Sequence, residues 1–158
     1  GEERVVLEHP AFSFCTPIFF EDSFPDHVRR FVLRGVDVVV NISNDYWSLT
    51  ETEARQHAAN AVFRAVENRR PLVRATASGL TASFDSRGRL LASLPCYEEG
   101  TLVVDVPLVD GGRTLYTAWG DWFPALCALL LAALASAAAV GVFGRRSAGA
   151  ARRGERAA

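Results

Sequence analysis

The sequence predicts an α/β domain, a mostly buried sheet with helices on its outer side, followed by one membrane-spanning helix. Three stretches carry that prediction. Val36–Ile42 (Val-Asp-Val-Val-Val-Asn-Ile) is a nearly continuous β-branched run, the pattern of a strand covered on both faces. Glu51–Asn68 places Ala54, Ala58, Ala61, Val62 and Ala65 on one helical stripe, with Thr50 positioned as its N-cap and Glu53 three residues on. Trp122–Phe143 runs for 22 residues without a charge. At about 1.5 Å per residue that suffices for a bilayer core of about 30 Å.

The remaining elements follow in order. Val5–Leu7 and Phe12–Phe20 read as strands and Phe24–Leu33 as a helix. Pro71–Thr76, Leu80–Asp85, Leu90–Leu94 and Thr101–Val106 read as strands, with a tight turn at Asp85-Ser86-Arg87-Gly88. The last three form a meander. Trp119 and Trp122 sit where an aromatic belt would lie, Pro124 suits a first helical turn, and Arg145, Arg146, Arg152, Arg153 and Arg156 follow the apolar run. The division is therefore a domain over 1–120, a span over 121–143, and a basic, unstructured tail over 144–158. The arginines place the tail on the cytoplasmic side and residues 1–120 across the membrane.

With 158 residues and a net charge of -1, the chain holds one sizeable core and gives no case for a nucleic-acid partner. The start, Gly1-Glu2-Glu3-Arg4, fits a fragment of a longer protein. Cys15, Cys96 and Cys127 make no CxxC pair, and His9, His27 and His57 offer no metal-ligand spacing, so no metal is expected and no Cys15–Cys96 disulfide.

The chemistry-bearing feature is a corner. In Ser13-Phe14-Cys15-Thr16-Pro17-Ile18-Phe19-Phe20-Glu21-Asp22-Ser23-Phe24-Pro25 an apolar strand breaks off at a carboxylate and a helix start follows. Enzymes mount nucleophiles on such strand-to-helix turns, where the next helix's free N–H groups face developing negative charge. The nucleophile position is Phe19, which has no reactive atom. Cys15 lies four residues back, about 13 Å away at roughly 3.3 Å per residue, and does not substitute. Three further stretches stand out. Asn41–Trp47 follows the most buried strand and reads either as a site loop or as an Asx-rich turn before the helix. His57, Arg64, Glu67 and Arg70 share one helical stretch, with a surface Arg64–Glu67 pair as the default. Arg74–Gly79 ends a strand in small residues that permit close backbone approach.

In this order the stretches resemble one family. Phe20-Glu21-Asp22-Ser23-Phe24-Pro25, Ser43-Asn44-Asp45-x-Trp47, Gln56-His57, Phe63-Arg64-Ala65-x-Glu67, Arg70-Pro71-x-Val73-Arg74-Ala75-Thr76, Ser78-Gly79 and Trp119-Gly120-Asp121-Trp122 are similar to the C-terminal part of apolipoprotein N-acyltransferase. The resemblance implies part of a nitrilase-like αββα sandwich followed by the last transmembrane helix. It implies a bacterial inner-membrane location with residues 1–120 facing outward. It also implies a ping-pong transfer: a cysteine takes an acyl chain from phospholipid as a thioester and passes it to the N-terminal diacylglyceryl-cysteine of a lipoprotein. No cofactor is implied. The implied partners are the phospholipid donor, the lipoprotein N-terminus, the membrane and an upstream half of the enzyme.

Residue by residue, Phe20, Glu21, Phe24 and Pro25 match the family's corner, while Phe19 stands where the family has its cysteine. The catalytic Glu and Lys lie upstream of the corner in the family. Only 18 residues precede Phe19, and none is lysine. Glu21 is implied as site support, and Phe20, Asn44, Asp45, Trp47, Ser78 and Gly79 as substrate-binding. The reading is an acyltransferase-like fragment inactive by itself. The alternatives are a non-catalytic, degenerate membrane protein that keeps the fold, and a nitrilase-type amidase. An incomplete sandwich would also leave one sheet with an exposed apolar edge or face.

Overall fold

The computed structural model describes residues 4–110 and 112–155, with side chains as far as residue 138. The chain divides into two units, Gly1–Gly120 and Asp121–Ala158. The first is built on one six-stranded sheet of order β1-β2-β3-β4-β5-β6. Its strands are β1 (Leu7–His9), β2 (Phe12–Cys15), β3 (Val38–Ser43), β4 (Leu72–Thr76), β5 (Thr81–Phe84) and β6 (Leu90–Leu94). The central strands β2, β3 and β4 run parallel, and β1, β5 and β6 add antiparallel flanks.

Parallel neighbours need crossovers, and α1 (Pro25–Leu33) and α2 (Glu51–Asn68) supply them. Pro25 opens α1 at the position where a missing N–H costs nothing. Thr50 caps α2, its hydroxyl accepting the Glu53 N–H at 3.4 Å, as the sequence predicts. Both helices cover the same face of the sheet. Val28 and Phe31 of α1 and Ala61 and Ala65 of α2 form one core with Cys15, Val39, Leu72, Ala82 and Phe84. Strand register then fixes what the other face carries, because successive side chains alternate. Val40 opposite Val73 and Ile42 opposite Ala75 point away from the helices, and Ile42 is half exposed. That face is apolar and only partly covered among the described residues.

Three readings are corrected. The strand expected over Phe12–Phe20 ends at Cys15; Pro17 has no N–H to donate, so pairing resumes only as a single bridge between Ile18 and Ile42 before the 3-10 turn Phe19–Ser23. Thr101–Val106 is not a strand. Its exposure alternates along an extended course, with Val103 almost fully exposed, but it joins no ladder and β6 remains the edge of the sheet. Alternating apolar residues announce a strand-like face without guaranteeing a partner. A short helix, α3 (Leu115–Trp119), stands where none was expected, capped by Thr114 and ended by Gly120 at φ +63°. The turn at Asp85 forms as expected: the Gly88 N–H donates to the Asp85 carbonyl at 3.0 Å, and the Asp85 carboxylate accepts the N–H groups of Arg87 and Arg89.

In the second unit α4 spans Trp122–Glu155, so helix continues through Gly144 into the stretch expected to lack structure. Alanine and arginine are strong helix formers, and that stretch is rich in both. Among the described residues, no helix is long and apolar enough to cross a membrane. The run expected over 122–143 extends past residue 138, where the described side chains end.

Candidate active site

The corner is built from the 3-10 turn Phe19–Ser23. Phe19 sits at φ +53°, in the left-handed region that non-glycine residues seldom occupy. Several bonds fix it there. The Asn41 side-chain amide, on β3, donates to the carbonyls of Pro17 and Phe19, both at 3.1 Å. The Glu21 carboxylate turns back to accept the Ile18 N–H at 2.8 Å. Glu21 thus supports the turn, and its bonded oxygen is occupied by backbone.

Beneath the corner lies a fully buried charge network that the sequence reading does not assemble. His57, on α2, is hydrogen-bonded through Nε2 to Asp22 Oδ1 and through Nδ1 to Asp45 Oδ1, both at 2.9 Å. Arg74 Nη1, on β4, meets Asp22 Oδ2 at 2.5 Å, and its Nη2 lies 3.5 Å from Asp45 Oδ2. The Ser43 hydroxyl donates to Asp45 Oδ1 at 2.7 Å. Burial lowers the affinity of the His57 ring for a second proton, and Arg74 acts in the same direction. The hydrogen bonds and charge of the two carboxylates outweigh both, so the pKa lies above its ordinary value. Burial likewise lowers the Arg74 pKa, opposed by Asp22 and Asp45. His57, Arg74, Asp22 and Asp45 are thus partnered with one another, the condition under which buried polar and ionisable groups are tolerated.

Aromatic rings join the network to the surface. Phe20 stacks on His57 at 4.5 Å between centroids, Phe19 meets the same ring edge-on at 5.9 Å, and Phe20 approaches Trp47 at 6.1 Å. Trp47 is mostly exposed. Asn44 accepts the Tyr46 N–H and the Ser78 hydroxyl, each at 3.1 Å, and so ties two loops together. Gly79 lies against Asp45: a Cβ there would stand 2.0 Å from Asp45 Oδ2. The implied binding set thus splits. Asp45, Ser78 and Gly79 are buried, while Phe20 is half-buried and Asn44 and Trp47 border solvent. An open recess of about 470 Å³ beside Phe19 is lined by Ile18, Phe19, Ile42, Ser43, Asn44 and Ala77.

The expected surface pair on α2 is also revised. Arg64 does meet Glu67 at 2.8 Å, but its side chain is buried and it also donates to the Ser23 carbonyl at 3.2 Å, tying the helix to the corner. Arg70 is buried as well and donates to the Val36 carbonyl at 2.8 Å. Cys15 faces the core on the helix side of the sheet, fully buried, and burial pushes its thiol up to about 12, so it is no nucleophile. All 17 basic residues of this chain are arginine, so it holds no lysine for a Glu-Lys-Cys triad.

Residues 6–116 match the carbon-nitrogen hydrolase family, and the chain belongs to that family. Within it, the chain is similar to proteins named apolipoprotein N-acyltransferase. It is 42% identical over 132 residues to apolipoprotein N-acyltransferase 1 of Treponema denticola, covering 83% of this chain and 24% of the relative. It is 46% identical over 121 residues to apolipoprotein N-acyltransferase 1 of Treponema pallidum, covering 77% and 22%. It is 41% identical over 121 residues to the apolipoprotein N-acyltransferase of Geobacter metallireducens, covering 75% and 23%. The chain therefore spans about a quarter of the length of these curated relatives. Among solved structures it is similar to an amidase from Nesterenkonia sp., with a TM-score of 0.58 and 26% identity over 68% of this chain and 43% of that one. The carbon-nitrogen hydrolase of Helicobacter pylori G27 shares the fold, with a TM-score of 0.55 at 13% identity over 63% of this chain and 42% of that one. The Nesterenkonia sp. AN1 amidase is described with an active-site cysteine that acrylamide modifies.

Proposed function

We propose that the chain is the C-terminal part of an apolipoprotein N-acyltransferase-like protein, inactive in acyl transfer by itself and anchored by the apolar run of α4. The names of its relatives support the reaction class, and the uncharged run with its trailing arginines supports the membrane location. The single observation that carries the reading of inactivity is Phe19. The corner holds its backbone at φ +53°, in the left-handed region, and the side chain there ends in a phenyl ring.

The reaction concerned has two displacements. A thiolate attacks the ester carbonyl of a phospholipid; the S–C bond forms, the ester C–O bond breaks, and the leaving alkoxide takes a proton. The amine of the diacylglyceryl-cysteine then attacks the thioester; the N–C bond forms, the C–S bond breaks, and the thiolate returns as the amine loses its proton. Each displacement passes through an oxyanion that needs a cation or N–H donors, and the first needs a base for the thiol. An upstream polypeptide would supply the Glu and Lys. It would also supply the layer that covers Val40, Ile42 and Val73 on the open sheet face. Outward-facing residues 1–120 and a cytoplasmic tail follow from the distribution of arginines.

Reconstitution tests this. The chain is placed in phospholipid vesicles with the upstream half of a related acyltransferase, labelled phospholipid and a diacylglyceryl-cysteine peptide. Transfer is expected with Phe19→Cys and not with the natural Phe19. Equal transfer by both forms overturns the reading of inactivity. Recovery of the expressed chain in the aqueous fraction overturns the membrane reading and favours an amidase-like protein.

A further inference from the structure

We propose that His57 is held as an imidazolium at neutral pH and is the positioning residue of the Phe19 corner, fixing its backbone and setting a positive charge beside whatever side chain occupies position 19. The inference rests on the geometry of the corner alone and stands apart from the acyl-transfer reading.

Stoichiometry is the first argument. A carboxylate can only accept, so a ring flanked by a carboxylate oxygen at each nitrogen must carry an N–H on both. Arg74 meets the other oxygen of Asp22 at 2.5 Å and lies 3.5 Å from the other oxygen of Asp45, so a second cation faces the same two side chains. The charged groups packed around the ring are Asp22 from the corner, Asp45 from the loop after β3 and Arg74 from β4, with Glu53 of α2 acting on Arg74.

Position is the second argument. Asp22 belongs to the 3-10 turn itself, so its bond to His57 ties the turn to α2, while Asp45 and Arg74 tie that same ring to β3 and β4. A left-handed phenylalanine is strained and persists only where its surroundings over-determine it. Here they do so from several sides. Of the four network members, the imidazolium is the one in ring contact with Phe19 and Phe20. A thiol at position 19 would therefore lie near a cation.

Two measurements on the full chain decide the matter. In a nitrogen-15 spectrum, both ring nitrogens of His57 are expected to stay protonated from about pH 6 to about pH 8.5, through the ordinary histidine pKa of about 6.5. Loss of one ring proton near that value overturns the proposal. Second, the rate of iodoacetamide alkylation is followed against pH in the Phe19→Cys chain, with fragment mass spectrometry separating this thiol from Cys15, Cys96 and Cys127. Its midpoint is expected below the ordinary thiol value of about 8.5, and His57→Gln in the same background is expected to raise it by about one pH unit. An unchanged midpoint in the double variant overturns the charge role. If the double variant does not fold, the ring measurement decides alone.

Discussion

Gly79→Ala probes the buried network without removing any of its charges. A Cβ at position 79 would lie 2.0 Å from Asp45 Oδ2, 2.9 Å from Asp45 Cγ and 3.2 Å from Asp45 Cβ, so the carboxylate must move by more than about 1 Å. It has little room to do so. Its other oxygen accepts the Ser43 hydroxyl at 2.7 Å and meets His57 at 2.9 Å, and such a shift carries both beyond hydrogen-bonding distance. Overpacking a tight site costs about 1–3 kcal/mol, and weakening a buried ion pair adds part of the roughly 3–5 kcal/mol that breaking one costs. A loss of about 3 kcal/mol follows, or about 10 °C in Tm for a chain of this size. The assay is urea denaturation of the full chain in mild detergent, followed by near-ultraviolet circular dichroism of the aromatic cluster. Gly112→Ala is the control, since a Cβ there meets nothing within 4 Å. If Gly79→Ala and Gly112→Ala give the same midpoint, the tight packing of Gly79 on Asp45 is wrong.

Other outcomes follow from the same geometry. Because the folded-state pKa of His57 lies above its unfolded value, the stability it contributes is complete below about pH 6.5 and is lost as pH rises through the folded pKa. Urea midpoints measured upward from pH 6 are expected to fall more steeply at high pH for the parent than for His57→Gln, and parallel profiles would refute the linkage. His57→Gln leaves Asp22 and Asp45 with Arg74 alone and is expected to cost about 3–5 kcal/mol below pH 6.5, read as a drop in urea midpoint. Thr50→Ala removes the cap on α2 and is expected to cost about 1 kcal/mol, with amide exchange accelerated in the first turn at Glu53. In the native chain at pH 8, Cys15 is expected to resist iodoacetamide and to react only after unfolding, given its burial and its raised pKa.

The sequence displays some of these features openly and hides others. β3 and α2 are legible because a β-branched run and an alanine stripe each admit one way of burying their side chains. The corner is legible because a proline, a carboxylate and a second proline punctuate an apolar run. The network is harder to see, since its members lie up to 52 residues apart, from Asp22 to Arg74. Its signals are charges in apolar company. His57 falls on the stripe of Ala54, Ala58, Ala61 and Ala65, and Arg74 alternates with Val73 and Ala75 on a strand whose helix-side positions are buried. A titratable group on a buried stripe demands partners, and Asp22 and Asp45 are the carboxylates in the adjoining turns. Thr101–Val106 shows the opposite limit. Its alternation is real, but a ladder partner is a property of the sheet, and no spacing within six residues reveals whether one is present.

Intact-mass measurement of an acyl-enzyme tests most directly the proposal that Phe19 stands at the nucleophile position of an acyltransferase-like corner. The natural chain and Phe19→Cys are each incubated with phospholipid and the upstream half of a related acyltransferase, then treated with neutral hydroxylamine. One hydroxylamine-labile acyl chain is expected on Phe19→Cys and no mass gain on the natural chain. A labile acyl group on the natural chain would contradict the proposal.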